Sequence, residues 1–296
     1  MEKFSHATTM KNILTYKYGG NFPIDIEECK CSNLLLTGTN QVGKSFTAMA
    51  ISDILMRNYP EPWRIIVVDN VGHWKNKSTI PYFFQVSDKT MKFMLPRTES
   101  IIFDTSFLLP TFQREFLESL LQDVWEMQLN QANQWVLICL EESHLFMRNI
   151  RSMVSQALMR ICSVGANWKI RTLAISPSLT GIDPEFIRLA QQRWHFKLGI
   201  ESNALRRFRG YYSKDWCRVA RELESRFCIY LNKDKLKVWK IPTFRQDIRP
   251  RPWQEPKTKK KGLLARIFGT SGEIDVDSDG VIMEGEDLLE EMFEDD

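Results

Sequence analysis

Short runs of leucine and β-branched residues alternate along the chain with longer segments in which apolar residues recur every three or four positions. The short runs predict strands at 34–37, 65–69, 101–104, 135–140, 172–176 and 194–198. The longer segments between the third and fifth of these, from Phe112 to Val124 and from Ile150 to Ile161, predict helices. Strands that alternate with helices predict an α/β fold, with a mostly parallel sheet covered by helices on both faces.

The pattern changes near the C-terminus. The apolar runs at 226–231 and 236–241 flank a polar turn and predict a C-terminal β-hairpin that closes the sheet. Beyond the hairpin, proline and lysine become frequent, and the last residues are acidic. We therefore predict four segments: a lead-in at 1–33, one α/β domain at 34–245, a mobile basic linker at 246–270 and a disordered acidic tail at 271–296.

The segment after the first predicted strand fits the pattern G-x-x-x-x-G-K-[ST] and precedes a helical pattern that starts at Phe46. Its residues are Gly38, Thr39, Asn40, Gln41, Val42, Gly43, Lys44 and Ser45. The glycines let the backbone N–H groups face a phosphate, and the following helix adds its positive end. We expect Lys44 to reach the β- and γ-phosphates and Ser45 to offer its hydroxyl to Mg²⁺, so the sequence predicts an ATP site.

The strand at 135–140 ends in two acids, Glu141 and Glu142. Hydrolysis needs one carboxylate for the magnesium shell and another to orient the attacking water. Because successive strand residues point to opposite sides, we expect Glu141 to bind Mg²⁺ and Glu142 to orient water. An ordinary acidic strand end is the alternative.

Two predicted strands, ending at Asp69 and Asp104, lie along the chain between the phosphate loop and this acidic pair. An inserted strand of that kind distinguishes water-activating ATPases from nucleotide kinases, in which the equivalent strands adjoin. A small-molecule kinase is therefore disfavoured.

Over roughly residues 30–242 the chain resembles the FtsK–HerA superfamily of ring-forming, DNA-pumping P-loop ATPases. The matching segments are the phosphate loop at Gly38–Ser45 and a strand that ends in Asp, followed by Gly, at Val67–Gly72. A DEAH-like element at Glu141–His144, a helix end at Gly165–Trp168 and a sensor strand at Ala174–Ser178 also match. The chain departs from the family pattern at three positions: Glu141 stands in place of Asp, Ala166 in place of Arg, and Ser176 in place of Gln.

The resemblance implies a RecA-like fold and a DNA translocase that hydrolyses ATP to ADP and phosphate with DNA stimulation. It also implies a homo-oligomeric ring on double-stranded DNA and a capsid or nuclease partner. The short lead-in is similar to minimal genome-packaging ATPases of viruses, so a viral or plasmid protein is expected. In such rings an arginine completes the neighbour's catalytic site. Arg160 is the candidate, with Arg151 and Arg171 as rivals. The alternative function is an ATP-dependent switch that binds nucleic acid or a partner without translocation.

The charge is segregated along the chain. The tail at 271–296 holds twelve of the 37 acidic residues and no Lys or Arg, so 40 basic residues face 25 acidic ones in the remainder. A body this basic favours a polyanion such as nucleic acid as partner. The alternative is that these lysines simply lie on a solvated surface. If DNA is the partner, Lys75 and Lys77 are candidates for contact with it.

The sequence has no apolar run long enough to span a membrane and no secretory signal at its start, so we expect a cytoplasmic protein without membrane contact, in the host cytoplasm if viral. Six scattered cysteines predict buried, reduced thiols.

The acidic tail contains a run with the spacing of a calcium-binding EF-hand loop, from Asp275 to Glu286. Gly269 and Gly272 immediately upstream would break the entering helix. We therefore favour a disordered acidic tail over a calcium site.

Overall fold

The computed structural model describes residues 22, 24–87, 95–96, 98–131, 134–147, 156–199, 201–233, 235–241 and 250–252. The chain divides into two compact units, 1–254 and 255–296, and the second lies outside the described residues. The predicted acidic tail with its EF-hand-like run, most of the linker, and Arg151 also fall outside the described part of the chain.

The described residues form ten strands that alternate with helices. The strands are β1 Leu34–Thr37, β2 Arg64–Asp69, β3 Tyr82–Gln85, β4 Ile101–Asp104, β5 Val136–Leu140, β6 Ile170–Ser176, β7 Gln192–His195, β8 Phe227–Asn232, β9 Lys235–Lys240 and β10 Arg251–Pro252. The α-helices are α1 Ile26–Cys31, α2 Lys44–Met56, α3 Trp74–Lys77, α4 Pro110–Gln131, α5 Gln156–Val164, α6 Pro184–Leu189, α7 Ser202–Tyr211 and α8 Lys214–Glu222. Short 3₁₀ helices span Ser143–Leu145, Gly165–Trp168 and Leu179–Gly181.

All ten strands join one sheet in the order β10-β3-β4-β2-β5-β6-β1-β7-β8-β9. The pairs from β10 to β7 are parallel, and β7-β8 and β8-β9 are antiparallel. The predicted α/β class, the parallel sheet and the closing hairpin are therefore confirmed. The parallel arrangement brings the carboxyl ends of β1, β2, β4, β5 and β6 to one edge of the sheet, where the candidate site lies.

The strand inserted between the phosphate loop and the acidic pair is β6, which pairs with β1 on one side and β5 on the other. The strands that end at Asp69 and Asp104, β2 and β4, lie on the far side of β5. The expectation that another strand separates β1 from β5 is correct. Order along the chain, however, suggested β2 and β4 for that position, which β6 occupies. A parallel crossover can pass over neighbouring positions, so order along the chain does not give order in the sheet.

Two strands were not predicted. β3 is short and only half buried along its length, so its aromatic run gives neither alternation nor a continuous buried pattern. β10 lies within the predicted linker, and Arg251 N–H donates to the carbonyl of Pro81 at 2.8 Å, next to β3. The sheet of the α/β domain therefore extends beyond residue 245. The predicted strand at 194–198 is observed two residues earlier, at Gln192–His195.

Two hydrophobic cores cover the two faces of the sheet, because successive strand residues alternate between them. Leu35 belongs to the core that includes α4 and α5, and Leu34 and Leu36 belong to the core that includes α2. The apolar stripe from Phe116 to Val124 is buried in the first core, as its helical spacing predicted. Among the described residues, no helix combines the length and apolar character needed to cross a membrane. All six cysteines are free; five are buried, and Cys31 is exposed.

Candidate nucleotide-binding site

The segment Gly38–Ser45 forms a tight loop between β1 and α2. Three of its residues have positive φ angles, +148° at Gly38, +61° at Gln41 and +108° at Gly43. A Cβ atom at Gly38 would lie 2.6 Å from Cβ of Phe196, so the end of β7 presses directly on the loop. Thr39 N–H donates to the carbonyl of Lys197 at 2.9 Å. The loop therefore has the curled backbone that a phosphate site requires, and β7 braces it.

Lys44 is buried and spans its own loop. Its Nζ donates to the carbonyl of Thr39 at 2.7 Å. Burial lowers the pKa of the Lys44 ammonium, while the nearby charges of Glu142 and Glu141 act in the opposite direction. The ammonium is thus held by the loop backbone and interacts electrostatically with both acids.

Glu141 is 2% exposed and both of its carboxylate oxygens are engaged. Ser45 Oγ donates to Oε1 at 2.8 Å, and Trp74 Nε1 donates to Oε2 at 2.8 Å. Burial raises the pKa of Glu141 to about 7, against the effect of these two hydrogen bonds. A hydroxyl and a carboxylate at this separation are hard oxygen donors of the kind that Mg²⁺ prefers, so the side chains present fit the predicted ion.

Glu142 follows Glu141 but lies in a different environment. Its φ angle is +47°, and it caps the 3₁₀ helix Ser143–Leu145. Its Oε2 lies 3.1 Å from Nδ1 of His144, and this contact holds the pKa of the Glu142 carboxyl below its ordinary value. The two acids have different partners, but strand alternation is not the reason. Both lie beyond the end of β5, and Glu142 has a left-handed backbone.

The neighbouring strand β2 positions the Glu141 side chain. Asp69, at its end, accepts N–H groups from Val71, Gly72 and Trp74 at 2.7–3.1 Å, which fixes the turn that carries the indole of Trp74. Asn70 Nδ2 donates to the carbonyl of Glu141 at 3.0 Å. The motif at 67–72 predicted Asp69 and Gly72. Nothing in the sequence indicated the contact of Trp74 with Glu141, because it depends on β2 and β5 being neighbours.

Lys75 does not extend freely into solvent. Its Nζ donates to Asp104 Oδ2 at 2.7 Å, and Ser106 Oγ donates to Asp104 Oδ1 at 2.6 Å. This pairing joins α3 to the end of β4. Of the two lysines proposed for DNA contact, Lys77 is exposed and Lys75 is partly exposed and engaged in this ion pair.

Ser176, expected from the resemblance at the end of a sensor strand, is the last residue of β6 and pairs in register with Thr37 immediately before the phosphate loop. Ser176 is buried, and its Oγ donates to the carbonyl of Ser178 at 2.8 Å. Its hydroxyl therefore shapes the following turn. That turn contacts His144, close to the acidic pair, because a Cβ at Gly181 would lie 2.5 Å from Cβ of His144.

A buried polar group supports the last residue of β1. His195 Nδ1 lies 2.7 Å from Oγ1 of Thr37, and its Nε2 lies 2.6 Å from the hydroxyl of Tyr212. Arg193 Nη1 also donates to that hydroxyl, at 3.0 Å. Burial lowers the pKa of His195 to about 3, so the ring is neutral and the network links the phosphate loop to α7 and α8.

The three arginine candidates differ in their surroundings. Arg160 on α5 is exposed, and its guanidinium lies 4.4 Å from the ring centroid of Trp125. Arg171 is 3% exposed and donates from Nε and Nη2 to the carbonyl of Lys30, which leaves it poorly placed to reach a neighbouring subunit. Arg151 lies outside the described residues.

The fold resembles those of several solved structures. The genome-packaging NTPase B204 of Sulfolobus turreted icosahedral virus 2, in complex with ATP-gammaS, matches with a TM-score of 0.55 and 13% identity, over 73% of this chain and 99% of that one. The DNA-packaging ATPase B204 of Sulfolobus turreted icosahedral virus matches with a TM-score of 0.54 and 13% identity, over 72% and 98%. This chain has the fold of a RecA-like P-loop ATPase. VirB4 of Thermoanaerobacter pseudethanolicus matches with a TM-score of 0.54 and 11% identity, over 72% of this P-loop chain and 90% of its own.

No protein-family model matches the chain, and no curated protein matches its sequence. The RecA-like P-loop fold expected from the sequence is thus confirmed, by structures whose sequences have diverged widely from this one.

Proposed function

We propose that the protein is an ATP-hydrolysing DNA translocase that works as a homo-oligomeric ring, most similar to a genome-packaging motor. The contact between Ser45 Oγ and Glu141 Oε1, at 2.8 Å, carries the proposal. It joins the phosphate loop to the acidic end of β5 across the intervening β6, which is the geometry that nucleotide hydrolysis needs. A nucleotide kinase would have those strands adjacent.

The two acids have environments that suit separate roles. Burial makes ionised Glu141 costly until a cation is present, and Ser45 lies beside it to complete a pair of magnesium ligands. Mg²⁺ would supply charge neutralisation of the phosphates. Glu142 stays ionised and partly exposed, so it can accept a hydrogen bond from the attacking water. Lys44 would exchange the carbonyl of Thr39 for phosphate oxygens.

The proteins of similar fold support the assignment of substrate and partner. B204 is described as a genome-packaging NTPase and was solved with AMPPCP and with ATP-gammaS. Outside the tail this chain carries the excess of basic residues that a DNA partner requires. Arg160 is proposed to act on the nucleotide of a neighbouring subunit, because it is the exposed one of the two described candidates.

The test is ATP turnover of the full chain with and without double-stranded DNA. A motor accelerates turnover on DNA. Glu142→Gln should still bind ATP but lose turnover by about 10²-fold or more, since it removes the group that orients water. Glu118→Gln, at an exposed position of α4, is the matched control and should behave as wild type. Unchanged turnover in Glu142→Gln would remove its catalytic role.

The second candidate is an ATP-dependent switch that binds nucleic acid or a partner without pumping. It is favoured by Ser176, whose hydroxyl bonds to its own turn where the family has a glutamine that senses the γ-phosphate. A switch would bind DNA in an ATP-dependent way without acceleration of turnover. The same assay therefore separates the two functions.

A further inference from the structure

A surface cleft lies between the 3₁₀ turn that follows β6 and the first turns of α7. It has a volume of about 360 Å³ and is lined by Thr180, Asn203, Arg206 and Arg207. Asn203 and Arg206 are exposed, so the cleft is open to solvent on one side. None of these residues belongs to the nucleotide-binding site described above.

The two arginines place uncompensated positive charge in the cleft. Arg206 Nη2 donates to Asn203 Oδ1 at 2.8 Å, and Arg207 donates from Nη1 and Nη2 to the carbonyls of Thr180 and Ile182 at 3.3 and 2.7 Å. Across the described ranges, neither guanidinium contacts a carboxylate. Two adjacent guanidinium groups beside a hydroxyl and an amide offer the kind of hydrogen-bond donors that a phosphate group accepts.

We propose that this cleft binds a backbone phosphate of double-stranded DNA. The inference rests on the proposed function and names the surface through which its DNA partner is held. An open cleft suits a phosphate of a polymer that runs across the surface, and the basic excess outside the tail favours such a polyanion.

The cleft is joined to the catalytic acids by a short series of contacts. Arg207 holds the carbonyls on both sides of Gly181, and Gly181 packs against His144 so closely that no side chain fits between them. His144 in turn lies 3.1 Å from Glu142. A phosphate that draws Arg207 toward the cleft would therefore act on the turn that supports the water-orienting acid, which is a route by which DNA could change ATP turnover.

The experiment measures binding of the full chain to a fluorescein-labelled DNA duplex, by anisotropy over a range of salt concentrations. Arg206→Gln should weaken binding about ten-fold, the scale of one charge-assisted hydrogen bond, and should reduce the slope of log K against log salt by about 1. Arg209→Gln is the matched control, because Arg209 is an exposed arginine of the same helix that does not line the cleft. It should keep the wild-type slope.

Arg207→Lys keeps the charge but breaks the double contact to the turn, and it should also weaken duplex binding. Circular dichroism of each variant checks that the fold persists. If Arg206→Gln and Arg209→Gln weaken binding equally, only bulk charge is involved and the proposal is overturned. A rise in the KM for ATP with unchanged duplex affinity would assign the cleft to a nucleotide phosphate, and would also overturn it.

The two proposals fail in different ways. Binding through the cleft requires no turnover, so a loss of duplex affinity in Arg206→Gln supports the cleft even if DNA does not accelerate ATP hydrolysis. In that case only the motor function is lost. Accelerated turnover with normal duplex binding by Arg206→Gln would instead leave the motor in place and remove the cleft.

Discussion

At the residue scale, Glu141 is held in a state that costs stability until a ligand arrives. Its pKa is raised from 4.5 to about 7 by burial, so the folded chain binds its proton more tightly than the unfolded chain does. The unfolding free energy contributed by this group is therefore greatest below pH 4.5, and it falls as the pH rises to 7. Above that range the cost is on the order of 3 kcal/mol.

Glu141→Gln should remove this cost. Without nucleotide, we expect the variant to be about 1–3 kcal/mol more stable than wild type at pH 8, with the difference vanishing toward pH 4.5. Urea unfolding at several pH values measures it. Glu142→Gln is the adjacent control: the pKa of Glu142 is lowered in the folded chain, so the amide there should give no gain. A gain of equal size at both positions would contradict the environments described for them.

The stability gained by Glu141→Gln should be accompanied by weaker binding of ATP and Mg²⁺. Addition of ATP and Mg²⁺ should raise the melting temperature of wild type but raise that of Glu141→Gln much less, because the variant lacks the charge that the ion neutralises. In the proposed mechanism, the opposite pKa shifts of these two adjacent glutamates would suit each to a distinct role.

At the scale of elements, the candidate site is built at the ends of the strands. The sequence predicts some of these strand ends better than others. The phosphate loop and the acidic end of β5 are local patterns, so they were located to the residue. The contact of Trp74 with Glu141 and the position of β6 between β1 and β5 depend on which strands are neighbours, and that information is not local. Boundaries of short strands, such as β7, moved by two residues.

The neutral histidine under the phosphate loop predicts a specific acid sensitivity. The pKa of His195 is lowered to about 3, so protonation between pH 6.5 and 3 occurs preferentially in the unfolded chain, and stability falls as the pH drops through that window. At pH 5 the loss from this group is on the order of 2 kcal/mol relative to pH 7.5.

His195→Gln should flatten this part of the pH dependence, although the variant starts from a lower stability. The measurement is the unfolding free energy at pH 7.5 and pH 5. His73→Gln, at an exposed histidine near the same site, is the control and should retain the wild-type dependence. If His195→Gln loses as much stability as wild type between the two pH values, the ring does not carry the effect.

At the scale of the whole molecule, the proposed ring makes a prediction about mixtures. Arg160→Ala should lose turnover if the guanidinium completes a neighbour's site, and Lys44→Ala should lose it by failing to hold the phosphates. Mixing the two inactive proteins should restore part of the activity, because a Lys44→Ala subunit can lend its Arg160 to the intact nucleotide site of an Arg160→Ala subunit. Steady-state ATP turnover against mixing ratio measures this.

Arg188→Ala is the control for that mixture, since Arg188 is an exposed arginine paired with Glu185 on α6. Arg160→Lys separates the role in the neighbour's site from packing on Trp125, because lysine keeps a cation over the ring but loses the planar fork. Mixtures that stay as inactive as their components would remove Arg160 from the neighbour's site.

The two outer strands of the sheet also differ in how they are protected. One edge is β9, where Lys235, Lys237 and Lys240 place charge along a strand that would otherwise be free to pair. The other would be β3, a short aromatic strand, were it not covered by β10. A chain shortened to end at residue 245 would uncover the main-chain groups of β3 and invite edge-to-edge aggregation. The proline-rich segment after the hairpin thus covers a sheet edge that would otherwise be open to pairing with another chain.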